Sequence, residues 1–461
     1  MFGRLRRIHF VGVGGAGMSG IALLLKNLGF EVSGSDIQAS EVTERLMQEG
    51  IKVFIGHQAE NCADAEVVVF STAVADDNPE IVFARAHGIP VIRRAEMLAE
   101  LMRLKFSIAI SGSHGKTTTT SLVTHVLTRA GLDPTAVIGG RIVGAETGAR
   151  LGQSEYLVAE ADESDRSFVL LYPSIAVVTN IEPEHLDYYR NIQDLKKEFL
   201  RFVNRVPFYG SVILCMDSPA VRSFRNRVPR RVVTYGVDTE ADFTIRDLQL
   251  YRFSSAFTVV YNGKEIGRFS LAMAGRHNVQ NALAAIAVGA ELGIDFATIE
   301  QALATFTGVH RRLEKKGEVN GIEVFDDYGH HPTEIRVTIE ALRHAYPEHR
   351  ILVVFQPHRY TRTKLLAEEF GTAFDQADEV VITGVYAAAE PPIPGVDERL
   401  IVDAVRRRGR AGLTVHHIPE LNEVTNFVGG RLKQGDVVLT LGAGSITKLA
   451  DEILKLLSEV K

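Results

Sequence analysis

The sequence predicts an α/β protein of about three domains, since its 461 residues correspond to roughly three units of ordinary domain size. Short apolar runs alternate with helix-like segments along most of the chain, a pattern typical of parallel sheets with helical crossovers. Two glycine-rich turns, at 12–17 and 112–115, each follow an apolar run and precede a helix-like segment. In α/β folds such turns bind phosphate groups, because backbone N–H groups and the helix dipole favour anions. The sequence therefore predicts a nucleotide-binding protein.

The first hundred residues resemble a Rossmann-like unit, with apolar runs that predict parallel strands at 8–11, 31–34, 67–70 and 91–92. A second and larger unit is predicted to begin at the strand 106–110. Its further strand candidates lie at 156–161, 175–179 and 212–214.

The sequence pattern changes at 241–274, where short apolar runs flank the turn Asn262-Gly263. Such a turn is typical of a hairpin, so we predict an antiparallel excursion there. A helix is predicted at 279–292, and a third α/β unit near Leu313. Its strands are expected at 350–355, 379–383 and 436–441. We therefore predict three domains, 1–105, 106–312 and 313–461.

Composition excludes several classes of protein. Hydrophobic residues make up 46% and charged residues 23%, which is ordinary for a soluble globular protein, and no apolar stretch is long enough to span a bilayer. Residues 8–17 form a glycine-broken strand and turn rather than a signal core, so we expect a cytoplasmic protein. A net charge of −6 argues against nucleic-acid binding. Cys62 and Cys215 lack the spacing of a zinc site and are expected to be buried apolar fillers.

The turn Ser-Gly-Ser-His-Gly-Lys-Thr at 111–117 predicts a triphosphate site. Lys116 can reach the outer phosphates, and the Thr117 hydroxyl can hold magnesium. The standard pattern has a glycine five residues before the Gly-Lys pair, where this chain has Ile110, so the loop is a shortened variant. The alternative is a tight turn with a solvated lysine. Four consecutive threonines, 117–120, and the acidic motifs that follow argue against that alternative.

The first glycine turn, Gly12-Val13-Gly14-Gly15-Ala16-Gly17, matches a dinucleotide fingerprint and is followed by Asp36 at the end of the next strand. The pattern is weakly specific, because close backbone approach and a helix N-terminus suit any diphosphate. A dinucleotide and a nucleotide-sugar diphosphate both remain open on this evidence.

Two acidic clusters follow predicted strands, one at 160–165 and the other at 182–187. The carboxyl ends of parallel strands meet at one edge of a sheet, where ligands bind. A carboxylate and a histidine placed there can meet Thr117 around magnesium. Histidine is an uncommon magnesium ligand, and a solvated acidic loop is the usual fate of such a cluster. Because both acidic clusters follow predicted strands, their common position favours a metal site over a solvated loop.

Seven ordered motifs make the whole chain resemble the Mur ligase family, which builds the peptide stem of bacterial peptidoglycan. They lie at 14–20, 112–119, 160–165, 182–187, 275–278, 326–334 and 356–362. The resemblance implies an N-terminal Rossmann-like domain that binds a UDP-sugar, a central P-loop ATPase domain with the antiparallel excursion, and a C-terminal Rossmann-like domain that binds the amino acid.

The resemblance is greatest to the members that add L-alanine to the lactyl carboxylate of UDP-N-acetylmuramate through an acyl phosphate. It implies ATP and Mg²⁺ as cofactors, with two ions expected. The partners it implies are small molecules only: no nucleic acid and no membrane insertion.

The resemblance also implies roles for single residues. The implied catalytic residues are Lys116, His185, His330, His358, Arg359 and Arg362. The implied ATP-binding residues are Gly112, Ser113, His114, Gly115, Lys116, Thr117, Thr118, His277, Asn278, Asn281, Arg311 and Arg312. The implied substrate-binding residues are Gly14, Gly15, Ala16, Gly17, Met18, Ser19, Asp36, His57, Ser71, Thr72, Tyr328 and His330. The implied magnesium ligands are Thr117, Glu160 and His185.

Three alternatives remain at this stage. The first is the family's recycling ligase, which joins a tripeptide to the same sugar nucleotide. That enzyme normally lacks Gly-Gly-Ala-Gly-Met-Ser in its first loop and has Phe-Ala where this chain has Tyr328-Gly329. The second is an NAD-dependent dehydrogenase with an appended ATPase, which explains only the first loop. The third is a non-enzymatic nucleotide switch, which predicts no peptide product.

Overall fold

The computed structural model describes residues 5–71, 73–139, 149–185, 188–388 and 390–459. The chain divides into two compact units. The first comprises Met1–Asp247, Phe257–Leu271 and Val279–Phe306, and the second comprises Leu248–Ala256, Ala272–Asn278 and Thr307–Lys461. The domain boundaries after 105 and 312 stay predictions.

The first sheet has five short strands, all parallel to their neighbours: β1 (Arg7–Val11), β2 (Glu31–Asp36), β3 (Lys52–Ile55), β4 (Val67–Phe70) and β5 (Val91–Arg93). Their order is β3-β2-β1-β4-β5. The accompanying helices are α1 (Ala16–Asn27), α2 (Glu41–Gln48), α3 (Pro79–Ala86) and α4 (Arg94–Met102). The order reverses at β1, so the β1–α1 turn lies at the switch point where such sheets bind ligands.

The second sheet has ten strands: β6 (Phe106–Ser111), β7 (Thr135–Val137), β8 (Ala149–Arg150), β9 (Tyr156–Glu160), β10 (Ile175–Val178), β11 (Ser211–Cys215), β12 (Arg231–Tyr235), β13 (Phe243–Leu250), β14 (Ser255–Tyr261) and β15 (Lys264–Leu271). Their order is β15-β14-β13-β12-β11-β10-β6-β9-β7-β8. Strand β6 lies between β9 and β10 and is parallel to both, so the ends of these three strands share one edge.

The helices of this region are α5 (Lys116–Arg129), α6 (Ile192–Val203), α7 (Pro219–Arg222), α8 (Arg276–Glu291) and α9 (Phe296–Ala304). Strands β14 and β15 are joined by Asn262 and Gly263, whose φ angles of 49° and 79° are both positive. A two-residue turn of that kind matches the twist of antiparallel strands. This hairpin confirms the antiparallel excursion predicted from the sequence.

The third sheet has six strands, β16 (Glu314–Val319), β17 (Ile322–Asp327), β18 (Ile351–Phe355), β19 (Glu379–Ile382), β20 (Thr414–His417) and β21 (Val437–Leu441). Their order is β16-β17-β21-β18-β19-β20, and only β16 runs antiparallel to its neighbour. The helices are α10 (Pro332–Ala345), α11 (Tyr360–Leu365), α12 (Ala367–Phe370), α13 (Arg399–Arg408), α14 (Leu421–Gly429) and α15 (Thr447–Glu459).

Local sequence explains several helix starts. Ser40 accepts a hydrogen bond from the Thr43 N–H at the start of α2, and Thr43 Oγ1 accepts one from the Ser40 N–H in return. Asn191 accepts N–H groups at the start of α6. Helix α10 begins at Pro332, whose missing N–H is not needed at a first helical position. These caps satisfy N–H groups that have no partner inside the helix.

The fold agrees with the α/β class predicted from the sequence, with differences in detail. Helix α8 begins at Arg276 rather than Val279. The sequence analysis did not predict seven of the strands: β3, β7, β8, β12, β16, β17 and β20. Strand β3 and strand β20 lie at sheet edges and are partly exposed, so neither has a strong apolar pattern.

Cys62 and Cys215 are buried and unbridged, as expected. None of the helices in the described ranges combines the length and the apolar character needed to cross a bilayer.

We predict that Gly34→Ala destabilises the first sheet. A Cβ at Gly34 would lie 2.7 Å from Val13 Cβ and 2.9 Å from the Phe10 carbonyl oxygen, so β2 and the first glycine turn would have to separate. Overpacking of this kind lowers the free energy of unfolding by about 1–3 kcal/mol. Gly430→Ala is the matched control, because its φ of −70° is ordinary and its nearest neighbour is 3.5 Å away. Equal thermal melting of both variants would contradict the close packing.

Candidate nucleotide and ligase site

The second glycine turn has a backbone that requires glycine. Gly112 has a φ of 144°, and a Cβ there would overlap Thr179 Oγ1. Gly115 has a φ of 82°, and a Cβ there would lie 2.6 Å from Asn281 Oδ1. Other residues rarely adopt such angles. The turn therefore packs tightly between the end of β10 and helix α8, where Asn281 lies against it. An ATP-binding role for Asn281 stays a prediction.

The turn is fixed by hydrogen bonds to the segment after β10. The His114 N–H donates to Asn180 Oδ1 at 2.8 Å, and the His114 carbonyl accepts from Thr179 Oγ1 at 2.6 Å and from Asn180 Nδ2 at 3.0 Å. The Ser113 hydroxyl accepts the Glu182 N–H at 2.9 Å. These bonds tie the loop to the segment after β10 and hold the start of α5 in one orientation.

Lys116 is the first residue of α5, and its ammonium group lies over the loop. Nζ donates to the carbonyl oxygens of Gly112 at 2.6 Å and Ser113 at 3.1 Å, and to Glu163 Oε1 at 2.9 Å. Burial lowers the pKa of Lys116, but the carboxylates of Glu163, Asp162 and Glu184 more than reverse this, so its pKa is raised. Lys116 is therefore a fixed positive charge at a helix N-terminus, as a triphosphate requires.

Three side chains beside Lys116 form a cluster able to hold a cation. Glu163, Glu184 and His185 offer one ligand atom each, and these atoms all lie within 4.8 Å of one another. Both carboxylates are buried. Oxygen-rich donors of this kind suit Mg²⁺, although histidine is a less usual ligand. The sequence analysis named only His185 of the three, although Glu163 and Glu184 lie within the two acidic motifs.

Thr117 and Glu160 complete the set of predicted metal ligands. Among the described residues, the Thr117 hydroxyl has no hydrogen bond to the protein. Glu160 is the last residue of β9 and pairs in register with Ile110 of β6, next to the loop. Thr118 is 5% exposed and faces the interior. A metal role for Thr117 and Glu160 stays a prediction, and the residues present fit magnesium.

The first glycine turn is held by Asp36. Asp36 Oδ2 accepts the Gly14 N–H at 2.8 Å, so this carboxylate braces the loop. The Gly15 carbonyl accepts the N–H groups of Met18 and Ser19, both at 2.9 Å. Met18 is 1% exposed and belongs to the core, so its side chain lies away from the surface.

Arg94 lies close to the first glycine turn and acts on the acidic segment after β9, and it was not predicted from the sequence. A Cβ at Gly17 would lie 2.9 Å from Arg94 Nη1. Burial raises the pKa of Asp162, but Lys116, the Ser164 N–H, His185 and Arg94 together bring it below its usual range. Arg94 thus places a second cation near the acidic segment after β9.

His57 and Ser71 follow β3 and β4, at the same edge as Asp36. His57 Nδ1 lies 3.1 Å from Ser35 Oγ, and the Ser71 hydroxyl accepts the Ala73 N–H at 3.3 Å. Thr72 and the Ala16 side chain lie outside the described residues. The structure thus brings the described substrate candidates of the first sheet to one edge.

In the second unit, predicted residues gather at the ends of β17 and β18. The rings of Tyr328 and His330 are 5.3 Å apart, and those of His330 and His358 are 5.5 Å apart. Arg362 Nη1 lies 3.1 Å from His358 Nδ1. Arg359 has a φ of 71° and donates its N–H to the Tyr386 carbonyl at 2.8 Å. This is a compact group of aromatic, imidazole and guanidinium side chains.

Arg311 and Arg312 lie over the Tyr328 ring, with guanidinium carbons 5.0 and 5.5 Å from its centroid. Arg311 Nε also donates to Asp326 Oδ2 at 3.1 Å. Burial, with the charge of Arg312, lowers the pKa of His277 to about 4. Asn278 donates to the Ala274 carbonyl at 2.8 Å.

Buried Asp327 shapes the Tyr328 turn. Its two carboxylate oxygens accept the N–H groups of Leu313 and Gly329, both at 2.7 Å. Burial raises the pKa of Asp327 to about 6.

Comparison with known proteins agrees with this geometry. Three family models match in order: "Mur ligase family, catalytic domain" over 7–106, "Mur ligase middle domain" over 110–289 and "Mur ligase, glutamate ligase domain" over 311–444. The UDP-N-acetylmuramate–L-alanine ligase of Geobacter sp. (strain M21) is 51% identical over the full length of both chains. This chain belongs to the Mur ligase family.

Solved structures of Mur ligases show the same architecture. The UDP-N-acetylmuramate-alanine ligase of Thermotoga maritima has a TM-score of 0.83 and 32% identity, covering 99% of this chain and 100% of its own. A murein peptide ligase from Psychrobacter arcticus 273-4 has a TM-score of 0.73 and 25% identity, with 99% of each chain covered. The three-domain Mur ligase fold is therefore shown, and with it an ATP-using ligase.

We predict that His277 makes stability depend on pH between about 6.5 and 4. Its pKa is lower in the folded chain than in an unfolded one, so the unfolded state binds more protons in this window. The free energy of unfolding is then fully present above pH 6.5 and falls as the pH falls, by up to about 3 kcal/mol.

Urea unfolding of the wild-type protein and His277→Asn at pH 7 and pH 4.5 measures this effect. The wild-type protein should lose more stability than the variant on acidification. Equal losses would show that His277 is not held neutral.

Proposed function

We propose that this chain joins L-alanine to the lactyl carboxylate of UDP-N-acetylmuramate with hydrolysis of ATP to ADP and phosphate, the first amino-acid addition in peptidoglycan stem-peptide synthesis. The observation that carries the proposal is the 51% identity, over the full length, to a ligase of that name. The triphosphate-type loop and its charged surroundings supply the chemistry such a reaction needs.

A carboxylate is a poor acylating agent, so it must first be activated. A carboxylate oxygen attacks the γ-phosphorus of ATP, a new P–O bond forms, and the bond to ADP breaks. The amine of L-alanine then attacks the carbonyl carbon of the acyl phosphate. The tetrahedral intermediate expels phosphate and the nitrogen loses a proton, which leaves the amide.

Such a reaction needs positioning and charge neutralisation more than covalent chemistry by the protein. Lys116 and the N–H groups of the first turn of α5 are suited to the β- and γ-phosphates, and Asn281 lies against the same loop. Thr117, Glu160 and His185 would hold magnesium, with Glu163 and Glu184 close by. When bound, magnesium neutralises phosphate charge and orients the transferred group. These five side chains could be shared between two magnesium ions, the number that the family resemblance implies.

The remaining predicted residues would bind the other substrates. The turn 14–19, Asp36, His57 and Ser71 form the edge proposed for the UDP-sugar. Tyr328, His330, His358, Arg359 and Arg362 form the group proposed for L-alanine and the acyl phosphate, since arginine binds carboxylates through paired donors. His277, Asn278, Arg311 and Arg312 are proposed to contact the adenosine of ATP.

Phosphate release tests the proposal directly. Purified protein is mixed with ATP, magnesium and UDP-N-acetylmuramate, and phosphate is measured with L-alanine, with L-alanyl-γ-D-glutamyl-meso-diaminopimelate and with no acceptor. Release that requires L-alanine is expected. Release only with the tripeptide would identify a recycling ligase, and no release with either acceptor would contradict both.

We predict that Lys116→Ala and Glu160→Ala each lower turnover by at least about 100-fold. Lys116→Ala removes a cation that stabilises the transferred phosphoryl group, and Glu160→Ala removes a proposed ligand of the magnesium ion that neutralises the same charge. Binding of UDP-N-acetylmuramate, measured by calorimetry, should be unchanged.

Lys264→Ala and Glu155→Ala are the matched controls. Lys264 is exposed on the β14–β15 hairpin, and Glu155 is exposed just before β9, at its opposite end from Glu160. Full activity of Lys116→Ala or Glu160→Ala would remove that residue from the site.

A further inference from the structure

A carboxylate is buried beneath the first sheet. Glu80 lies in the first turn of α3 and is 0% exposed. A buried carboxylate is costly unless its oxygens accept hydrogen bonds. His9 of β1 and Ser33 and Ser35 of β2 lie on the strands next to it.

Both oxygens of Glu80 are occupied. Oε1 accepts Asn61 Nδ2 at 2.6 Å and the Gln58 N–H at 3.2 Å. Oε2 accepts the Ser35 hydroxyl at 2.5 Å and lies 3.3 Å from His9 Nε2. Burial raises the pKa of Glu80, but the hydrogen bonds from His9, Ser35 and Asn61 outweigh it, so the net pKa is lowered. Glu80 is therefore an ionised acceptor.

This arrangement decides where the proton of His57 lies. Ser35 has one hydroxyl proton, which it donates to Glu80. Ser35 Oγ can then only accept from His57 Nδ1, 3.1 Å away, and Glu80 Oε1, at 3.6 Å from the same nitrogen, also favours a proton there. A neutral His57 thus carries its proton on Nδ1.

The outer nitrogen of His57 is left for a ligand. The side chain is 19% exposed, and Nε2 has no hydrogen-bond partner among the described residues. With the proton on Nδ1, Nε2 of the neutral ring is an acceptor. It lies at the strand-end edge that carries Asp36 and the first glycine turn.

We propose that Glu80 is a positioning residue that acts through Ser35 to fix His57 with Nδ1 protonated, so that His57 Nε2 accepts a hydrogen bond from an N–H or hydroxyl group of the nucleotide sugar. The role toward substrate rests on the proposed function. The fixed tautomer does not, because it is a property of the free protein.

Glu80→Gln tests this with little change of shape. The Gln58 N–H is a backbone donor, and Asn61 Nδ2 is oriented by a second bond to the Gly56 carbonyl at 3.1 Å. Both donors can bond only to the amide oxygen of the new glutamine, so that oxygen takes the place of Oε1. The NH₂ group then takes the place of Oε2 and faces Ser35. Ser35 Oγ then accepts and gives its proton to His57 Nδ1. The tautomer of His57 switches, and Nε2 becomes a donor.

The first measurement is nitrogen NMR of ¹⁵N-histidine-labelled full-length protein. The His57 signal is assigned by its absence in His57→Gln. Wild-type protein should show a protonated Nδ1 and an unprotonated Nε2, and Glu80→Gln the reverse. A protonated Nε2 in the neutral ring of the wild-type protein would overturn the proposal, even if Glu80→Gln failed to fold.

The second measurement is steady-state kinetics. Glu80→Gln should raise the KM for UDP-N-acetylmuramate about tenfold, the effect of one mismatched hydrogen bond. It should leave kcat and the KM values for ATP and L-alanine within about twofold. An equal loss for all three substrates would indicate a merely structural role and overturn the proposal.

Glu66→Gln is the matched control. Glu66 lies in the same sheet and accepts the N–H groups of Arg6 and Arg7 at 2.7 and 2.9 Å, at the opposite end of the strands. It should leave the tautomer and every KM unchanged. If the wild-type protein released no phosphate with L-alanine, the proposed function would fail, while the NMR result would still decide the tautomer.

Discussion

The fit of the second glycine turn against the end of β10 is the constraint on which the candidate site depends. Gly112 adopts a backbone angle that brings the chain into contact with Thr179, and no side chain can enter that space. The bonds from Thr179 and Asn180 to His114 then fix the direction in which α5 starts. The position of Lys116, the first residue of α5, follows from that direction. The loop is thus shaped by its neighbours before any ligand arrives.

The charges around this loop follow from the same geometry. Strands β6, β9 and β10 are parallel neighbours, so the segments after β9 and β10 lie on either side of the loop. Those segments carry Asp162, Glu163 and Glu184, whose carboxylates interact with Lys116, and Arg94 adds a second positive charge near Asp162. The local excess of negative charge is tolerable where cations are to be bound, and it would be unfavourable otherwise.

Much of this arrangement could be predicted from the sequence, because parallel strands place their carboxyl ends at one edge. The position of the two acidic motifs follows from that rule. The loop is recognised from its own residues, and the grouping of Tyr328 with His358 is implied by the family resemblance. Other features could not be predicted. Strand β20 has a partly exposed pattern that gives little periodicity. Glu80 is indistinguishable in sequence from any glutamate at a helix start, and its partner His9 lies 71 residues away. Arg94 likewise gains its position beside Gly17 only in the folded chain.

The raised pKa of Lys116 has a consequence for the chemical integrity of the site. An acyl phosphate acylates any amine that has a free lone pair, and the proposed reaction would form one beside this side chain. The surrounding carboxylates keep the lysine nitrogen protonated and therefore non-nucleophilic. The same charges that orient Lys116 also protect it from self-acylation, so that the incoming amino acid is the amine that reacts.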